Sequence, residues 1–314
     1  MHRDNDAMTD AASPRWRGQP GRLEVWYASA TDVATGMGLW LHYELVSPPG
    51  ADAYVHGWIA TFPTDGSPEV VRFGPEPVGL VGADWMRAST ASAGPDRLTG
   101  SVGGTSWDLA WQADEPPIWT MSAAAWRREL LPSAHVVFAP RARLQGTIRV
   151  NGHDYDVDAR GSLSHIYGHG NAQRWAWLHA DLDDDTSLEV ITAVGRRPAM
   201  RWLPPMSFVQ LRQSGRDWPR NPLAAAPLFR AKLGSPTWSV RGIVGTRRLS
   251  LTVTQPDDRC VSLDYTDPDG AHATCTNTEI ADARVRIETW YGRWRTEQEW
   301  SLDHRAHAER GTRR

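Results

Sequence analysis

The chain has 314 residues, a formal net charge of -3, 23% charged and 40% hydrophobic residues, and a mean hydropathy of -0.49. Its charge gives no electrostatic reason to expect nucleic acid or an anionic membrane as partner, and no apolar run is long enough to span a bilayer. The length allows a sizeable core, arranged as two domains or one large β domain. The 17 tryptophans suit either a large β core or a broad aromatic cavity for a ligand.

Residues 1–21 are polar and lack the apolar centre of a signal peptide, so they are expected to be a disordered lead-in to a cytoplasmic protein. From Leu39 the chain alternates. Trp40, His42 and Glu44 face one way, and Leu39, Leu41, Tyr43 and Leu45 the other. Ser47-Pro48-Pro49-Gly50 ends that strand, and Tyr54 to Phe62 forms the next, with Tyr54, His56, Trp58 and Phe62 on one side. The two are expected to be antiparallel neighbours. They are either one wall of a pocket or a half-exposed hairpin.

Arg97 to Ser101 and Ser106 to Trp111 are short strands around Gly103-Gly104, and Ala123 to Leu131 is the best helical window, stopped by Pro132. Thr147 to Val150, Asn151-Gly152 and His153 to Val157 predict a hairpin with a type I′ turn. It leads into Gly161 to Leu182. There Leu163, His165, Tyr167 and His169 share one face, and so do Trp175, Trp177, His179 and Asp181. A loop around Gly170-Asn171 would pair the two as a hairpin, setting His169 opposite Trp175, Tyr167 opposite Trp177 and His165 opposite His179.

Gly195 to Pro205 breaks the periodicity with three prolines and places a domain boundary between 22–195 and 196–314. The second half has the same β character: Trp238 to Arg241, Arg248 to Thr254, Cys260 to Tyr265, Ala271 to Asn277 and Ala283 to Trp290 read as strands. Cys260 and Cys275 flank a tight turn in a register that favours two separate thiols over a disulfide.

His165, His169 and His179 invite a metal, but their spacing matches no sharp ligand motif, and no metal is expected. Neither a nucleophile elbow nor a phosphate-binding glycine loop is present. Acid–base chemistry in an aromatic cavity fits better. Burial moves the pKa values of His, Tyr and Asp toward the working range, and indole faces stabilise a developing cation. The alternative is a satisfied polar network that locks strands together.

Gly161-Ser162-Leu163-Ser164-His165-Ile166-Tyr167-Gly168, with Trp175-Ala176-Trp177, resembles the G-x-x-Y-x-D-H-x-W-G … W-x-W pattern of the hydroxyneurosporene synthase (carotenoid 1,2-hydratase) family, itself similar to lipocalin-like Diels–Alderases. Weaker matches are Gly146 to Gly152, Thr278-Glu279-Ile280 and Ala306 to Gly311. The resemblance implies an all-β chain of two lipocalin-like antiparallel β-barrel domains in tandem, an apolar substrate, and cofactor-free proton or pericyclic chemistry. The chain departs from the pattern where Ser164 stands for the aspartate and Tyr167 for the tryptophan.

The resulting expectation is a cofactor-free isomerase, hydratase or cyclase acting on a hydrophobic isoprenoid or polyketide-like molecule. His165 and Tyr167 form its acid–base pair. Trp175, Trp177, His179, Asp181, His169, Trp40, His42, His56 and Trp58 contact the substrate. A non-catalytic carrier of such molecules, and a metal-dependent enzyme using His165, His169 and His179, are the alternatives.

Overall fold

A computed structural model describes residues 2–79, 84–129, 131–200 and 202–314. Strand accounts for 62% of the structure and helix for 8%, so the chain is all-β, built as two curled antiparallel sheets. The first sheet holds β1 (Arg22–Asp32), β2 (Gly38–Ser47), β3 (Tyr54–Phe62), β4 (Glu69–Pro77), β5 (Met86–Arg87), β6 (Ala91–Ala93), β7 (Arg97–Val102), β8 (Thr105–Gln112), β9 (Ser133–Val150) and β10 (His153–Gly168). Its spatial order is β4-β3-β2-β1-β10-β9-β8-β7-β6-β5. The second holds β11 (Arg174–Asp181), β12 (Thr186–Val194), β13 (Met206–Gln213), β14 (Arg216–Trp218), β15 (Phe229–Lys232), β16 (Thr237–Val244), β17 (Arg247–Thr254), β18 (Val261–Thr266), β19 (His272–Trp290) and β20 (Trp294–Arg313). Its order is β14-β13-β12-β11-β20-β19-β17-β16-β15, with β18 paired to β19.

The expected strands 54–62, 97–101, 106–111 and 147–157 all form, and Asn151 and Gly152 take the positive φ angles (52° and 77°) of the predicted turn. The helical window is shorter than expected, α2 covering Ala123–Arg127. Its expected end is only partly visible, since Leu130 lies outside the described residues. Cys260 and Cys275 are separate thiols.

Three expectations need correction. Residues 2–12 are helix α1 (His2–Ala12) rather than a disordered lead-in. Its end is held because Ala12 O accepts from the Trp26 indole (2.8 Å) and Ala11 O bonds His165 Nδ1 (2.7 Å). The chain divides near residue 170, not 195: one unit is Met1–Trp119, Ala123–Gly170 and Thr266–Ala271, the other Thr120–Ser122, Asn171–Tyr265 and His272–Arg314. Strands β11 and β12 therefore belong to the second sheet. Finally, residues 161–169 and 175–181 do not pair. Strand β10 has β1 and β9 as its two neighbours, and β11 has β12 and β20. With both edges of each strand filled, no edge remains for the expected hairpin.

The core of the second unit is apolar: Leu178, Val190, Val209, Phe229, Trp238, Leu251, Val285 and Leu302 pack together. In the first unit Trp26, Leu41, Tyr43, Phe73 and Trp107 do the same on one face of the sheet, with the Trp107 indole donating to Tyr43 Oη at 2.7 Å. The central strands are buried on both faces, and β2 is buried along its whole length. Their alternating polar residues are therefore not solvated but sealed.

Candidate active site

Strand register decides which expected residues meet. In the first sheet Trp26 lies opposite both Tyr43 and His165, and Tyr27 opposite both His42 and Ser164. His42 in turn faces Trp58, and Glu44 faces His56. Since directly opposed residues share a face, His165 and Tyr167 lie on one side of the sheet, and Trp40, His42, Glu44, His56 and Trp58 on the other. Trp175, Trp177, His179 and Asp181 belong to the second sheet. The single face expected to carry all of them does not exist.

His165 is fully buried, and both ring nitrogens are engaged: Nδ1 with Ala11 O at 2.7 Å and Nε2 with Glu24 Oε1 at 2.9 Å. Its ring is stacked on Trp26 at 4.7 Å and met edge-on by Trp126 at 4.9 Å. Glu24 also accepts the backbone N–H groups of Arg15 (2.6 Å) and Trp16 (2.9 Å). The group clamps residues 11–16 to the sheet and has no valence left for a substrate or a metal. Tyr167 Oη accepts from Arg22 Nε at 3.2 Å beside a cavity of about 10 Å³, room for one water at most. His169 is exposed, within 2.9 Å of Arg22 and 3.1 Å of Gly21 O. Among the described residues no group of three or more His, Cys, Asp or Glu side chains could hold a metal ion.

The other face of the first sheet is chemically richer. Glu44 is 1% exposed. Its Oε2 is hydrogen-bonded to His42 Nε2 at 2.9 Å and lies 3.7 Å from His56 Nε2, while Oε1 is buried without a hydrogen-bond partner. Burial raises the Glu44 pKa to about 7, against the pull of His56 and Arg72. Burial, helped by Arg72, holds His42 well below the usual imidazole range. In the Nε2–H tautomer of neutral His42 the imidazole donates to Oε2, and the carboxyl proton of Glu44 then sits on the free Oε1. The His42 ring is stacked on Trp58 at 3.9 Å, and Trp40 meets Trp58 edge-on at 5.1 Å. Tyr27 Oη bonds His135 Nε2 at 2.8 Å on the same face. Ser162 and Ser164, also on this face, bury hydroxyls with no hydrogen-bond partner.

In the second sheet His179 Nδ1 is 3.0 Å from Glu189 Oε2, and the Trp177 indole donates to Glu189 Oε1. Burial lowers the His179 pKa, but Glu189, Asp181 and Glu279 outweigh it and hold the imidazole above its ordinary value. Nε2 has no hydrogen-bond partner and lies 3.8 Å from Asp181 Oδ1. His307 stacks on His179 at 6.0 Å and pairs with Glu279 at 2.6 Å. Trp175 donates to Glu309 and lies flat on Gly311, where a Cβ would come within 2.0 Å of the ring. This cluster surrounds an imidazole with carboxylates that favour its protonated form. The first holds a buried carboxyl, its pKa raised, with one free oxygen.

The sequence did not single out Glu44 as a site residue, nor Glu24, Tyr27, His135, Glu189, Glu279 and His307 as partners. A signal existed for two of them. Glu44 alternates in phase with Trp40 and His42, and Glu189 is a lone charge inside the apolar run Leu188 to Val194.

A family model described as "Tocopherol cyclase-like" matches residues 93–311. An uncharacterised protein of Mycobacterium tuberculosis, found in strains CDC 1551 and H37Rv, is 46% identical over 311 residues, covering 98% of this chain and 92% of the relative. Two solved structures share the fold, which is lipocalin-like. A putative AttH from Nitrosomonas europaea has a TM-score of 0.57 at 15% identity, over 93% of this chain and 92% of the other. Kievitone hydratase from Nectria haematococca has a TM-score of 0.58 at 10% identity, over 96% and 91%.

Proposed function

We propose, for a chain that belongs to the tocopherol cyclase-like family, that it adds an O–H across a carbon–carbon double bond of an apolar, isoprenoid-like or polyketide-like molecule. A hydratase and a cyclase meet in this one step. The oxygen comes from water in the first case and from the substrate's own hydroxyl in the second. The observation that carries the reading is the buried Glu44 carboxyl, its pKa raised to about 7 so that the protonated acid is well populated at neutral pH, with one oxygen free and aromatic rings around it.

The step balances without a redox partner. Glu44 Oε1–H gives its proton to one alkene carbon, and the cation forms on the other. The indoles of Trp40 and Trp58 supply π density beside it. The oxygen nucleophile bonds to the cation, and its proton returns to the Glu44 carboxylate. His42, donating to Oε2, stabilises the carboxylate that exists between the two proton transfers. In the resembling hydratase family the aspartate position is Ser164 here, and Ser164 shares this face of the sheet with Glu44 through Tyr27 and His42. A carboxyl acid is thus present on the same surface, carried by another strand.

Glu44→Gln keeps the shape and removes the proton. Turnover should fall by at least about a thousandfold, with ligand binding changed less than threefold, as expected for a group used only in the transition state. Reaction in D₂O should place one deuterium on carbon in the product. Absence of that label, or full activity in the Gln variant, rejects the mechanism. Binding of an apolar probe without any turnover in the native chain would favour the carrier reading.

A further inference from the structure

In the second unit the β16–β17 and β19–β20 turns lie side by side, joined by a hydrogen bond from Trp290 N to Thr246 O at 2.9 Å. The double turn exposes large apolar side chains where a water-soluble protein usually shows polar ones: Ile243 is 46% exposed, Trp290 47% and Tyr291 68%. Trp290 and Trp294 meet edge-on at 5.3 Å, and the Arg248 guanidinium lies over Trp294 at 4.5 Å.

The charge around these rings is one-sided. Glu288, Glu297 and Glu299 are each taken by an arginine: Arg248 at 2.6 Å, Arg247 at 2.8 Å and Arg286 at 2.7 Å. Arg293 and Arg295 are exposed and, among the described residues, have no carboxylate within ion-pair distance, while Arg241 on β16 is exposed and lies in the field of Glu288. The net charge of -3 over the whole chain hides this local excess.

We propose that this double turn docks on an anionic phospholipid surface. Tryptophan and tyrosine settle at the depth of lipid head groups, where the ring is in an apolar medium and its polar edge is wet. Free guanidinium groups bind phosphate oxygens in bidentate fashion and gain from the negative surface potential. Aromatic anchors and unpaired arginines on one pair of turns supply both attractions at the same point. The turn at residues 183–185 gives the limit of the surface, since Asp183 and Asp185 are acidic and already accept from Trp300 and Ser214. The inference stands independently of the reaction proposed above.

The test is co-sedimentation of the full chain with vesicles of phosphatidylglycerol and phosphatidylcholine, and with vesicles of phosphatidylcholine alone. Binding is expected to the anionic vesicles, to weaken with added salt, and to be far weaker on the neutral ones. Trp290→Ala with Tyr291→Ser, and separately Arg293→Glu with Arg295→Glu, should each reduce it by at least about tenfold. All these side chains are exposed or at the tip, so the thermal unfolding midpoint should stay unchanged. Trp202, 91% exposed elsewhere in the same unit, is the control, and Trp202→Ser should leave binding intact. The proposal fails if the native chain ignores anionic vesicles or if both tip variants bind normally. It also fails if only Trp202→Ser loses binding, or if the tip variants change the oligomeric state in place of lipid binding.

Discussion

A carboxyl group buried between two imidazoles writes its pKa into the stability of the fold. Glu44 titrates at about 7 in the folded chain against an ordinary 4.5. Between those values the unfolded chain has lost the proton and the folded one keeps it. The folded state binds more protons, so stability falls as pH rises through that window and levels off above it. The amount is on the order of 3 kcal/mol. Glu44→Gln removes the titration. Its stability relative to the native chain should rise by that order between pH 4.5 and pH 8, measured by urea unfolding at each pH, and a constant difference would show that Glu44 does not titrate there. His165 makes the opposite case. His165→Ala removes one of the hydrogen bonds to Glu24, which keeps those from Arg15 N and Trp16 N, and opens a space between Trp26 and Trp126. A loss of about 3 kcal/mol is expected, with turnover per folded molecule unchanged. Both residues stand in alternating strands with similar neighbours, and the period of two told which side chains share a face within each strand. It could not tell that His165 meets an N-terminal carbonyl, because residues 11 and 165 are brought together only by the fold.

The strands repeat that lesson one level up. Strand boundaries such as 54–62 and the Asn151-Gly152 turn were legible because they depend on local alternation and local φ angles. The partner of β10 was not, because any strand with the right pattern could fill its edges. One glycine records which strand did. A Cβ on Gly161 would sit 1.9 Å from Ser29 O and 2.5 Å from Ala30 Cα, both backbone atoms of β1. Gly161→Ala must therefore push β1 away from β10, where a clash with a flexible side chain could have been relieved by rotation. The cost should be about 3 kcal/mol, read as a lower denaturant midpoint. Amide exchange should quicken first along residues 24–31, and unchanged protection there would mean that β1 and β10 do not approach as described. The close approach of the β1 backbone is reason enough for glycine at this position.

At the scale of the whole molecule, chain order and sheet order part company. The run from 161 to 182 reads as one motif, yet β10 ends one sheet and β11 begins the next. Strand β1, near the start of the sequence, lies beside β10 and couples β2–β4 to it. The family match begins at residue 93 and so leaves out β1–β5 and most of β6. A fragment of residues 93–314 would keep β7–β10 of the first sheet but lose Trp26, Tyr43 and Trp58 from its core. It would also expose the edge of β10 along 161–168, a long unpaired strand that invites aggregation. The second unit, by contrast, draws all its strands from residues after 170. Limited proteolysis of the fragment should therefore cut quickly within 93–170 and leave a resistant core from about residue 171 onward, with a correspondingly reduced strand signal per residue in circular dichroism. Equal resistance on both sides of residue 170 would show that β1–β6 are dispensable to the first sheet. Glu44 lies on β2, outside the matched segment. If the fragment folded and turned over substrate, Glu44 would not be the proton donor.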